Sequence, residues 1–229
     1  MTDDLNESKK GMNAGAQAVA AVVLVGGVLG GMWGLGEVFD RATVSGDRGP
    51  AACSKSHGFV SAKHVSGARL CTALNRQDLP ELLGTPTEYA RTADGNEGSV
   101  TMASGTKIAA PEATVTLDTY SVKLSASEDR LPVAELADFL GATTQKTTIL
   151  GHPAALYSSR TIEFTFNGSK VGTGPGGIAR SLLVARTPKD GGGSFEIVIW
   201  RQDDVMPDDT ALLRVAETVL PTVPGWTAD

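Results

Sequence analysis

The chain has 229 residues, with 20 Lys and Arg against 26 Asp and Glu and a formal net charge of -6. An apolar share of 41% and a charged share of 20% fit a globular protein with a proper core. The acid excess argues against a nucleic-acid partner, because a polyanion is held by a basic footprint.

Residues 1–12 are polar and read as a short cytoplasmic tail. From Gly11 to Gly36 no side chain is charged, and Lys10 and Glu37 bracket the run. As a helix, Ala14 to Leu35 would rise about 33 Å, enough for a hydrocarbon layer about 30 Å thick. The run is longer than a cleaved signal's core, and no cysteine follows it closely enough for lipid attachment. Residues 13–36 are therefore expected to be a single membrane-spanning signal anchor. Lys9 and Lys10 before it, with Glu37 and Asp40 after it, predict a cytoplasmic N-terminus and an extracytoplasmic C-terminal domain. Gly26, Gly30 and Gly34 recur every four residues, a spacing that lets two helices approach closely. Homodimerisation through this helix-helix contact is the corresponding expectation.

Residues 37–50 turn to Gly, Ser, Asp and Arg and read as a tether, with one folded domain over 51–229. Cys53 and Cys71 are the only cysteines. In an oxidising compartment an even count predicts a disulfide. His57 and His64 lie between them, so a Cys₂His₂ zinc site is the competing arrangement, although C-x3-H-x6-H-x6-C matches no finger spacing.

The stretch 70–86 is expected to form one amphipathic helix, with Asn75 as N-cap, Leu79, Leu82 and Leu83 on one face, and Gly84 and Pro86 as the stop. Strands follow from Tyr89 to Ser127, with turns expected at Asp94-Gly95 and Ser104-Gly105. The change of phase between Leu117 and Val122 suggests a bulge. Residues 131–140 form a second helix, ended by Gly141. A hairpin around Gly151-His152-Pro153 comes next, followed by TIEFTF as a strand and a glycine-rich loop. IARSLLVART and SFEIVIWRQ are then two apolar strands. A last helix starts near Pro207-Asp208-Asp209 and stops at Pro221. Strand runs with few helices indicate α+β: an antiparallel sheet flanked by helices.

Catalytic motifs are scarce. GTGPGG at 172–177 matches G-x-G-x-x-G in form, but it feeds a strand and contains a proline, so a dinucleotide site is not expected. No nucleophile elbow surrounds any serine. Asp203, Asp204, Asp208 and Asp209 stand just ahead of a helix, where capping and the helix dipole favour them, and they follow no EF-hand pattern. No catalytic residue, metal ligand or cofactor is assigned.

Several stretches resemble a known family: KGMNAGAQAVAAVVLVGG, LCTALNRQDLPELLGTP, EATVTLDTYSVKLSAS, GPGGIARSLLVART and SFEIVIWRQDD. They resemble actinobacterial single-pass membrane proteins grouped as a domain of unknown function, number 6215. More distantly, Cys71 to Gly84 is similar to actinobacterial lipoproteins whose fold is a Mog1/PsbP-like α/β/α sandwich. The resemblance implies that architecture and carries no catalytic residues. The expected function is a membrane-anchored binding or sensing module of the cell envelope, with an envelope protein or peptide as partner. An envelope hydrolase and a structural envelope component are the alternatives. A cleft holding paired carboxylates would favour the hydrolase.

Overall fold

The computed structural model describes residues 50–53, 65–101, 105, 107–167 and 170–227. The expected membrane helix, its Gly26, Gly30 and Gly34 row, and His57 and His64 lie outside the described residues. No described helix is long and apolar enough to cross a membrane.

Two antiparallel meanders meet edge to edge. The first runs through β1 (Thr92–Thr101), β2 (Lys107–Thr116) and β3 (Tyr120–Ser127). The second runs through β4 (Gln145–Ile149), β5 (His152–Asn167), β6 (Lys170–Ala185) and β7 (Ser194–Arg201). Pairing of β3 with β7 joins them into one seven-stranded sheet of order β1-β2-β3-β7-β6-β5-β4. The expected α+β class is therefore the observed one.

Alternation along the strands decides which face is dry. Val115, Val122, Leu124, Phe195, Ile197, Ile199, Leu182 and Val184 point to one side and are fully buried. Three helices cover that side: α1 (Gly67–Leu74), α2 (Leu79–Leu82) and α4 (Asp209–Val219). On the opposite side α3 (Val133–Leu136), continued by a 3-10 turn over Ala137–Phe139, packs on Ala155, Tyr157, Leu183 and Ala185. Asp190, at φ 50 in the β6–β7 turn, accepts from Val133 N at 2.7 Å and Ala134 N at 2.9 Å, capping α3 from a distant loop. Arg180 on β6 holds Asp209 at the start of α4 with paired bonds of 2.5 and 2.8 Å, and also donates to Ser158 Oγ.

Several local expectations are corrected. Residues 70–86 hold two helices, and Asn75 is the C-cap of α1: its N–H donates to Cys71 O and its side-chain amide to Ala51 O. The true N-cap is Ser66, whose hydroxyl accepts from Arg69 N. Asp94-Gly95 is no turn, because both residues pair within β1 with Thr114 and Ala113. Gly95 is there for close approach, since a Cβ on it would stand 2.3 Å from Gly67 O. The phase change after Leu117 is a hairpin and not a bulge, closed by Leu117 N donating to Tyr120 O. The GTGPGG stretch is strand, with Gly172 opposite Thr165 and Pro175 opposite Ile162. That ribbon extends beyond β7, so the missing N–H of Pro175 interrupts no ladder with it.

Candidate functional site

The segment that leads into the domain forms one wall of a pocket of about 490 Å³. Three ties fix that wall. The Cys53–Cys71 disulfide joins it to α1, Ala51 N donates to Ala90 O, and the Asn75 amide donates to Ala51 O. Both sulfurs are thereby consumed, so they are not available as ligands of a zinc ion shared with His57 and His64.

Leu79, Pro80, Leu117 and Ala90 supply apolar lining, and Asn75, Arg76, Gln77, Glu88 and Tyr89 supply polar groups. Each polar group except Gln77 is held in place. Arg76 makes a two-bond contact with Asp78 at 2.5 and 2.8 Å and donates to Thr218 O at 3.1 Å, tying the α1–α2 link to α4. The same guanidinium keeps the Asp78 carboxyl below the usual carboxylate range. Glu88 accepts from the backbone N–H and the hydroxyl of Thr119. Arg91 lies 4.1 Å over the Tyr89 ring and donates to its phenol, and Asp118 anchors the other side of Arg91 with two bonds of 2.7 Å. The result is a preformed, mixed apolar and polar recess of a size that suits a small molecule or a peptide side chain. Its one hydroxyl-bearing aliphatic residue, Thr72, donates to Ala68 O. Such a recess can hold a ligand, and the hydrogen bonds of its described side chains go to structural partners.

A different chemistry sits on the sheet's polar face. Ser125 of β3 lies opposite Glu112 of β2 and also opposite Glu196 of β7, so both glutamates share one row. Burial raises the Glu112 pKa, and the Glu196 charge adds to it, while Lys123 and a bond from Asn96 oppose the shift. Tyr157 donates to Glu196, and burial together with that carboxylate pushes the phenol well above its usual value. This is the carboxylate pair the sequence did not disclose. Only β-strand alternation placed over the full strand order reveals it. Neither glutamate lines the pocket at the disulfide or a second recess of about 390 Å³ beside Arg69 and Arg76.

The remaining candidates have structural roles. His152, the only described histidine, is fully buried: its Nδ1–H donates to Ala185 O at 2.7 Å and its ring stacks on Trp226 at 3.8 Å. Its Nε2 has no partner, which fits a packing role. Three of the four aspartates at the start of α4 have identified contacts. Asp203 binds Arg201, Asp208 caps α4 through Thr210 N, and Asp209 binds Arg180. Among the described residues no group of three or more His, Cys, Asp or Glu could hold a metal ion.

A family of unknown function, DUF6215, matches residues 9–143, more than half of the chain. The chain belongs to this family. The match begins just ahead of the uncharged run and ends after α3, so it includes the disulfide, the pocket residues and β1–β3. The stretches of β6 and β7 that also resemble the family lie outside the matched range. No curated protein matches, and no solved structure matches.

Proposed function

We propose that this chain is a binding module of the cell envelope, held to the membrane by residues 13–36 and displaying its domain outside the cytoplasm. The fold we assign to that domain is the Mog1/PsbP-like α/β/α sandwich, a reading supported by helices on both faces of an antiparallel sheet. The observation that carries the function is the pocket at the disulfide. Its wall is pinned by three separate ties, and its polar side chains other than Gln77 are already oriented. Preorganisation of this kind reduces the ordering cost of binding. The disulfide supports an extracytoplasmic setting, because cytosolic thiols are kept reduced.

The hydrolase reading is favoured by one observation, the Glu112–Glu196 pair with its raised Glu112 pKa. The pair lines neither recess, so binding remains the preferred reading.

Filling the pocket tests the proposal. Ala52 and Gln77 are exposed lining residues, and Ala52→Trp or Gln77→Trp would occupy the recess without touching the core. Tagged full-length protein and a form lacking residues 1–36 are recovered from membranes, and co-purifying proteins are compared. The expected result is a partner kept by the truncated form and lost with either Trp variant. A partner indifferent to both Trp variants, or dependent only on residues 1–36, would contradict it.

A further inference from the structure

Most open edges of the described sheet carry features that discourage strand addition. β4 is short and bears Lys146, β1 contains Gly95, Gly98 and two acids, and the free side of β6 holds Lys170, Pro175 and four glycines. Lysine, proline, charge and brevity are the usual means of blunting an edge. The free side of β5 is less defended: it is long, and its two charged residues, Arg160 and Glu163, are of opposite sign. β4 pairs with β5 only as far as Leu156, and no described strand pairs with β5 beyond it on that side. From Tyr157 to Asn167 the sequence YSSRTIEFTFN has no proline, glycine or lysine and is rich in Thr, Ile, Phe and Tyr, all good strand formers. The irregularity near Arg160 places Gly176 and Gly177 of β6 opposite Thr161 of β5, so the extra residue falls on β6 and leaves the open edge of β5 regular.

We infer that this edge is a dimer interface, occupied by β5 of a second copy of the chain running antiparallel to the first. The reading stands apart from the proposal for the pocket. Two observations favour a second copy over an unrelated strand. Pairing Tyr157–Phe166 with itself, centred between Thr161 and Ile162, puts Arg160 opposite Glu163 twice, so the register is charge-complementary by symmetry. The same centre brings Phe166 opposite Tyr157, and each chain's β4 ends at the residue before Tyr157. The self-paired stretch Tyr157–Phe166 therefore lies between the two β4 strands, and Asn167 of each copy comes up against Gln145 of the other. Arg160 is exposed, and its one hydrogen bond, from Nη1 to Gly176 O at 3.2 Å, leaves its other N–H groups for a carboxylate.

Molar mass of the full-length chain in mild detergent, measured by light scattering, tests this. Gly30→Leu is carried in every variant to suppress any dimer made by the membrane helix. The Gly30→Leu chain is expected at twice the 23.7 kDa chain mass. Arg160→Glu alone and Glu163→Arg alone each place like charges opposite one another at two positions, and should weaken the dimer about tenfold or more. The double variant Arg160→Glu/Glu163→Arg restores the pairing and should return the dimer, which a misfolded single variant could not explain. A monomeric Gly30→Leu chain, or a dimer that charge reversal does not weaken and the double swap does not rescue, overturns the inference.

Discussion

Reducing the single disulfide should loosen the domain by an amount that the chain's own connectivity sets. Cys53 and Cys71 are separated by 18 positions. Freeing a loop of that length in the unfolded state costs about 3 kcal/mol in the chain-entropy model at 25 °C. For a domain of this size, each kcal/mol moves the melting temperature by roughly 2–4 °C, so the expected fall is about 6–12 °C. Reduction is preferable to mutation, because Cys71 is fully buried in the main core and replacing it would add a packing defect of its own. The assay is a circular-dichroism melt of the full-length chain in detergent with and without a phosphine reductant. A Cys53→Ala variant, which opens the loop but leaves Cys71 in place, should melt near the reduced protein. A fall of less than about 2 °C under confirmed reduction would refute the reasoning, because the wall of the pocket would then not depend on the bond.

Three further outcomes follow from particular contacts. Gly67→Ala puts a Cβ 2.4 Å from the Asn96 backbone, so α1 must shift off β1; a loss of about 1–3 kcal/mol is expected by urea denaturation, and unchanged stability would contradict the contact. Asp190→Ala removes both caps from α3 and sets alanine at a left-handed φ of 50, which together cost about 2 kcal/mol, with Asp190→Asn costing less; the shift in urea midpoint measures both. Glu112 has a raised pKa in the folded state, so its contribution is fully present below its ordinary value of 4.5 and is lost as pH rises through the folded value. Glu112→Gln should therefore leave stability unchanged near pH 4 and increase it at pH 7, and an equal or lower midpoint at pH 7 would count against the raised pKa.

Much of the fold was legible because its signals are local. Asp208 before an apolar stripe, Gly84 and Gly141 at positive φ after helices, and the alternation of SFEIVIWRQ each mark an element without reference to the rest of the chain. The misreadings share a different cause. Gly95 and the glycines of GTGPGG signal a turn to a local reading, yet Gly95 serves a close helix–strand contact and GTGPGG sits in a long two-stranded ribbon. Asn75 suits either end of a helix by composition, and only the position of Ala51 shows which end it serves. The site was harder still. The cysteines announced their pairing, but the pocket needs residues 50–53, 72–80, 88–90 and 117 brought together. Glu112 and Glu196 come to flank Ser125 only because β3 pairs with both β2 and β7. Long-range strand order is the information that periodicity does not contain.

Sidedness is the claim on which the proposed function most depends. Intact cells carrying the full-length chain are treated with a membrane-impermeant reductant and then with a membrane-impermeant maleimide. Cys53, the less buried partner of the disulfide, is the reporter, since Cys71 is sealed in the core. The account predicts labelling of Cys53 in intact cells, dependent on reduction and lost in Cys53→Ala. Labelling that appears only after lysis would place the domain on the cytoplasmic side and contradict the account.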